Sequence, residues 1–334
     1  MKTLSALIII AVTSIVFYSC TDSLVSSGGT NESYQWQPVD SINTETVQSI
    51  YAADENTAYF LTYGRVYKST NGVRTQMNFN DINFRPAAMD SYNPYYTVVG
   101  GNTEFGLITM NNIKILDSNN IISVNLNTLE MYSVSLVKIL QRGKIIIAAS
   151  NKLFLYDNGT VTNYDAPDGD LFYKMAAIGN TIYLTAFSTD SENLYKFENN
   201  TLTFLQNSPV ERVTMDVDNA LIRMETQGIR TAYNAYQGAG WNFFASDSAK
   251  RKPFWAAGEN LDKIYFLASD SVNAYRVSGV FWDGREIKRD YNYPFEGTEP
   301  YGIAMSNMKN KTVYVSKQNT IGKTYIYKGK LVTN

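Results

Sequence analysis

Two short stretches of the chain gather carboxylates closely enough to do chemistry. Asp165-Ala166-Pro167-Asp168-Gly169-Asp170 places three acids within six residues, and Glu296 stands three residues before Glu299. Paired carboxylates run glycoside hydrolysis unaided, one as acid and the other as base or nucleophile. The denser cluster also offers the oxygen donors that calcium takes, although its spacing departs from the EF-hand loop. Adjacent acids in turns more commonly cap or solvate a loop, so neither group is assigned a catalytic or metal-binding role. The other usual reagents are missing: the chain has no histidine and one cysteine, Cys20. That excludes a Ser-His-Asp triad, a Cys-His pair and histidine-bound zinc. It equally excludes an internal disulfide and a four-cysteine zinc site. There is no P-loop and no dinucleotide fingerprint in a strand-to-helix context, and Gly28-Gly29 and Gly100-Gly101 read as isolated turns. No cofactor is expected.

The 334 residues carry 29 Lys+Arg against 31 Asp+Glu. A near-neutral balance without basic clusters argues against nucleic-acid binding and polybasic membrane attachment. A low charged fraction of 18% with 25 tyrosines and 16 phenylalanines favours strands.

The elements that position any site begin after an address. Leu4 to Phe17 is an uncharged, largely apolar run behind Met1-Lys2-Thr3, and Ser19-Cys20 follows it. A spanning helix needs about 20 apolar residues, so the run reads as a signal-peptide core. The arrangement resembles a bacterial lipoprotein signal, in which the chain is cut before a cysteine that is then lipidated. The resemblance implies a signal peptide over 1–19 and lipid attachment at Cys20. Residues 20–33 are rich in Ser, Thr and Gly and read as a flexible tether. Residues 34–334 form the folded domain.

That domain repeats one unit seven times. A strand rich in small residues shows as Ala52-Ala53, Ala87-Ala88, Ala176-Ala177, Ala256-Ala257 and Ala304, with Ile139-Leu140 and Met215-Asp216 in the remaining units. A second strand follows at Tyr59-Phe60, Tyr95-Tyr96, Ile146-Ile147, Tyr183-Leu184, Leu221-Ile222, Tyr265-Phe266 and Tyr314-Val315. A third passes through Tyr67-Lys68, Leu107-Ile108, Leu155-Tyr156, Tyr195-Lys196, Ala232-Tyr233, Tyr275-Arg276 and Tyr327-Lys328. Turns at Asn71-Gly72, Asn111-Asn112, Asn158-Gly159, Asn199-Asn200 and Asp283-Gly284 lead to a fourth. First strands begin near 47, 85, 134, 172, 210, 253 and 301, a mean spacing of about 42 residues, which is the period of a β-propeller blade. Pro86, Pro167, Pro209, Pro253 and Pro300 sit at or just before first strands, where a missing N–H is tolerated. Small residues fit the crowded centre, and the aromatic strands fill the widening space between blades. The sequence thus predicts an all-β, seven-bladed propeller of four-stranded antiparallel blades. Tyr34 to Val39 occupies the phase of a fourth strand and would complete the last blade; in the competing reading, Leu331 to Thr333 is that strand.

Gly64 to Gln76 resembles the Asp-box hairpin of sialidase-like, photosystem-assembly-factor and sortilin-type propellers: Ser69, Gly72 and Thr75 agree, while Asn71 replaces the Asp and Gln76 the Trp. In that family the motif is structural and implies fold, not catalysis. Phe84-Arg85-Pro86 resembles the arginine motif of sialidases. That enzyme class would need three arginines on one carboxylate, a Tyr/Glu nucleophile pair and a further acid.

In a propeller, loops into first strands share one end of the disk with loops between second and third strands. That end carries the candidate ligand-binding residues Arg65, Arg85, Asp168, Asp170, Trp255 and Tyr301. Mixed charge with aromatics suits a protein or glycan ligand. The expected function is a non-catalytic binding or scaffolding module in the bacterial cell envelope. It would be held through an N-terminal lipid on a membrane, at the periplasmic or outer surface. The alternative is a sialidase-like or other carboxylate-dependent glycan-active enzyme.

Overall fold

The structure is a computed structural model that describes residues 32–43, 45–105, 108–129, 134–188, 191–209, 214–227, 230–248, 251–269 and 276–333. The expected signal peptide, Cys20 and the tether up to residue 31 lie outside the described residues.

Strand β1 (Glu32–Ile42) precedes the first complete blade, which is β2 (Val47–Ala52), β3 (Thr57–Thr62), β4 (Arg65–Thr70) and β5 (Val73–Gln76). The second blade is β6 (Phe84–Asn93), β7 (Tyr96–Phe105), β8 (Ile108–Asp117) and β9 (Asn120–Leu129). The third is β10 (Val134–Gln141), β11 (Lys144–Ala149), β12 (Lys152–Asp157) and β13 (Thr160–Asp165). A single 3-10 turn, Pro167–Gly169, leads to the fourth: β14 (Leu171–Ile178), β15 (Thr181–Phe187), β16 (Ser191–Glu198) and β17 (Thr201–Pro209). The fifth is β18 (Thr214–Val217), β19 (Ala220–Gln227), β20 (Arg230–Tyr236) and β21 (Trp241–Asp247). The sixth is β22 (Lys252–Asn260), β23 (Lys263–Ser269), β24 (Val277–Trp282) and β25 (Ile287–Asp290). The seventh holds β26 (Ile303–Met305), β27 (Thr312–Gln318) and β28 (Thr324–Thr333). These make seven four-stranded sheets, and the chain is an all-β seven-bladed propeller.

The pattern has the physical cause that the sequence suggests. Ala52, Ala88, Ala176, Ala257 and Ala304 are buried on the innermost strands, where the blades converge. Cores form between neighbouring blades; Val98, Ile113 and Ile115 of the second, for example, pack with Val137, Ile145 and Ile147 of the third. Each such side chain contributes roughly 1.5–3 kcal/mol on burial. Asn71-Gly72 and Asn158-Gly159 turn with positive φ at both residues, as two-residue hairpins with right-handed twist require.

The second blade departs from the expected register. Asn111-Asn112 is no turn: it lies inside β8, with Asn111 opposite Asn102 and Asn112 opposite Gly101. Ile113 and Ile115 carry apolar alternation past the Asn pair and keep the strand going. The hairpin instead turns at Ser118, which has φ 56°. Gly100-Gly101 is likewise in strand β7, not a turn. A Cβ on Gly100 would stand 2.5 Å from Val134 Cγ1, and one on Gly101 would stand 2.1 Å from the Arg85 carbonyl oxygen. These glycines let β7 lie close against its neighbours.

The ring is closed from the N-terminal side. The last sheet runs β1-β28-β27-β26, so β1 supplies the fourth strand of the seventh blade. Leu331 to Thr333, the competing candidate, is instead the end of the third strand, β28. Trp36 lies over Gly329, where a Cβ would come within 2.6 Å of its ring. Its indole Nε1 donates to Asp290 Oδ2 at 2.8 Å, and Tyr265 Oη donates to the same oxygen at 2.8 Å. Tyr34 packs edge-on against Tyr265 at 4.6 Å between ring centres. Asp290 is 3% exposed. Burial raises its carboxyl pKa, and the Trp36 and Tyr265 hydrogen bonds oppose that rise only in part.

Asp290→Ala leaves two buried donors without an acceptor and should destabilise the protein by about 3 kcal/mol in urea unfolding at neutral pH. Asp290→Asn keeps an acceptor and should cost less than about 1 kcal/mol there. A raised folded-state pKa makes the carboxylate's stability contribution decline as pH rises through it. Wild type should therefore gain on Asp290→Asn as the pH is lowered.

Candidate functional site

Five of the seven innermost strands share an irregularity that the sequence does not announce. Register shifts fall between Val47 and Ser49 on β2, Pro86 and Ala88 on β6, and Val134 and Leu136 on β10. They recur between Phe172 and Lys174 on β14 and between Pro253 and Trp255 on β22. Each bulge lies near the start of its strand. A bulge bends the strand and re-aims side chains. Ser135 and Tyr173, both bulge residues, consequently line the mouth of the central channel together with Ser49, Lys174, Asp216 and Trp255. Tyr173 stacks on Phe187 at 3.9 Å with planes 9° apart. Burial raises its hydroxyl pKa, with the nearby Glu192 carboxylate adding to the effect.

The same end of the disk carries uncovered apolar side chains. Tyr63, in the turn between β3 and β4, is 82% exposed, and Tyr301, just before β26, is 72% exposed. Ile82 and Ile321, on loops at this end, are also exposed.

The candidate residues divide. Trp255 lines the mouth itself. Arg65 and Arg85 share a surface recess with Glu45 and Tyr63. There Arg65 pairs with Glu45, which also accepts from Tyr67 Oη at 3.2 Å. Arg85 donates to the Ile82 carbonyl at 3.1 Å and sits 3.7 Å from Glu104. Tyr301 borders a second recess beside Lys317, whose ammonium donates to the Tyr301 carbonyl at 2.6 Å. Asp168 lies in the 3-10 turn before β14. Asp170 does not present itself on the surface: it is 2% exposed, accepts from Tyr195 Oη at 2.6 Å and also accepts from Asn193. Its carboxylate holds the end of the turn onto β16.

The two carboxylate groupings do not converge either. Asp165 pairs with Lys152 at 2.9 Å, away from the buried Asp170. Glu296 is engaged by Arg289 and accepts from Ser278 Oγ at 3.0 Å, while Glu299 borders the recess of Tyr301.

Below the mouth the channel narrows to charged residues. Lys138, on β10, approaches Asp218 Oδ1 at 3.4 Å, and Lys309 reaches Asp218 Oδ2 at 2.8 Å. At the mouth itself, Lys174 pairs with Asp216 at 3.3 Å. Burial works against the Lys138 ammonium, but Asp90, Asp218 and Asp216 outweigh it and hold its pKa above the ordinary lysine value. Burial likewise works against the Asp218 carboxylate, but Lys138 and Lys309 bring its pKa below the ordinary value. Tyr51, beside them, has its hydroxyl pKa pushed up to about 12, chiefly by burial. Sequence reasoning missed this group. Its signal was present, because Asp216 and Lys138 interrupt or adjoin the very strands that lack the small-residue pair.

No known family model matches the chain, and no curated protein does. Solved structures match its fold. YCF48 from Cyanidioschyzon merolae superposes with a TM-score of 0.61 at 10% identity, covering 88% of this chain and 98% of its own. YCF48 bound to D1 peptide gives 0.60 at 11% identity, over 88% of this chain and 96% of its own. The β-propeller domain of the Trilobed protease from Pyrococcus furiosus gives 0.58 at 11% identity, over 87% and 98%. That domain is described as having an open velcro topology, whereas here β1 closes the last blade. At these identities the likeness is one of fold.

Asp218→Asn tests the ionic group by pH. A depressed folded pKa gives stability that is complete above the unfolded value and lost as pH falls through the folded one. The variant's deficit in urea unfolding should be constant near neutrality and should shrink below the ordinary aspartate value of 3.8.

Proposed function

We propose that this chain is an exported, lipid-anchored binding module of the bacterial cell envelope, which holds a protein segment at the channel-mouth end of its propeller without catalysing a reaction. The observation that carries this reading is the mouth. Repeated bulges bring Tyr173 and Trp255 to one opening, and Tyr63 and Tyr301 stand uncovered on the same end. Aromatic side chains and arginines are the usual anchors of protein interfaces. The propeller YCF48, whose fold is similar, has a structure bound to a D1 peptide, which supports a protein ligand as the class. Glycan hydrolysis is the weaker reading, because Asp170 and Glu296, one from each candidate carboxylate pair, are each held by other side chains. The recess of Arg65 and Arg85 is lined by those two arginines, one fewer than a sialidase-like site requires. The anchor rests on the sole cysteine standing directly behind the apolar run.

Photo-cross-linkers placed at Tyr63 or Tyr301 in cells should yield a discrete protein adduct, and one at Tyr95, in the turn between β6 and β7 at the other end, should not. Adducts from Tyr95 alone, or turnover of a glycan by the purified chain, would overturn the reading. Separately, Cys20→Ser should release the protein from membranes and prevent lipid labelling, as followed by fractionation and incorporation of a labelled fatty acid.

A further inference from the structure

The inner chamber of the channel holds more organised charge than closing a hole between blades demands. Three carboxylates act on the Lys138 ammonium: Asp90 from the second blade, and Asp216 and Asp218 from the fifth. One of them, Asp90, is oriented by backbone independently of any lysine, and the turn that carries Asp218 is fixed through its main chain. Asp90 Oδ2 accepts from the Ile139 amide at 2.8 Å and its Oδ1 from the Ser91 amide at 2.9 Å. The Asp218 amide donates to the Gly258 carbonyl at 3.0 Å, which ties that turn to the sixth blade. Lys138 comes from the third blade, Asp218 from the fifth and Lys309 from the seventh. These blades are not neighbours in the ring, so their contacts are made across the lumen.

We infer that the lumen is a binding site for a primary ammonium group and that Lys138 is its built-in occupant, a tethered cation that closes the channel. Negative groups lining a narrow, low-dielectric passage focus their field on its axis, which is where an ammonium is most stabilised. The charge balance specifies the occupant. Asp90, Asp216 and Asp218 line the chamber with Lys138, while Lys309 pairs with Asp218 and Lys174, from the mouth, pairs with Asp216, so the group is neutral with all three lysines present. Deleting the Lys138 side chain beyond Cβ leaves the chamber one positive charge short. It also leaves a gap the length of three methylenes that ends at the carboxylates. A monovalent alkylammonium matches both the missing charge and the gap, and a divalent metal ion matches neither.

The test is chemical rescue of Lys138→Ala in the full chain, read as melting temperature by calorimetry. The variant should melt lower than wild type by about 5 °C or more, given what breaking one partner of a buried ion group does to stability. Adding n-propylammonium should recover at least half of that loss and saturate with concentration, as ligand binding to the folded state requires. Sodium and tetramethylammonium at equal ionic strength should not, and none of the three should shift wild type in this way. Lys138→Met, which fills the gap without charge, should be destabilised and insensitive to the amine. If Lys138→Ala does not fold alone, its refolding should depend on n-propylammonium. The inference falls if rescue is absent, if tetramethylammonium rescues equally, or if Lys138→Met melts with wild type.

Discussion

One carboxylate, Asp290, receives the Trp36 indole from the first strand of the domain and the Tyr265 hydroxyl from the sixth blade. The ring depends on this junction. A propeller blade buries its faces only against neighbours, and an open ring exposes two of them. Here the exposed faces are abolished by a strand from the start of the chain pairing with one from its end. Placing a carboxylate there is electrostatically unfavourable, as its raised pKa shows. It is retained in the structure as the acceptor that two large aromatic donors share, and it sets where β1 sits against the sixth blade.

Closure in turn gives the channel its character. Once the blades are held in a ring, their inner strands converge, and the alanines there leave room for whatever larger side chains interrupt them. The channel has two storeys. The mouth is built by bulges and carries aromatic rings, hydroxyls and one lysine-aspartate pair. The inner chamber is crossed by the Lys138-Asp218-Lys309 bridge. A segment held at the mouth meets a floor, so recognition rests on the end of the disk and the upper chamber.

The blade count and phase were legible because most blades repeat the same solution to packing: small residues inside, aromatic or aliphatic pairs outside, and Asn, Asp or Gly at the outer turn. The second blade misled because its Asn111-Asn112 pair looks like a turn, and only the apolar residues beyond it show that the strand continues. Gly100-Gly101 misled in the same way, since close backbone approach and a turn both select glycine. Of the candidate site residues, Trp255, two residues after the proline at a strand start, lines the mouth. Asp170 is buried, and a sequence does not show that Tyr195, twenty-five residues away, reaches back to its carboxylate. The bulges themselves leave no trace in residue type beyond the prolines of two strands, so Tyr173 was invisible as a mouth residue.

The closing strand also fixes an order of events. Trp36 and its acceptor Asp290 are 254 residues apart, and the sheet partner β28 is later still. Contacts of such separation form late, because the entropy of closing the intervening chain must be met first. Until β28 has been made, β1 has no strand to pair with. The last blade, and with it the cooperative ring, cannot assemble until residues 324–333 have emerged. A ring closed in this way is completed only by two strands that stand far apart in sequence, so none of its blades gains the last interface until both are in place.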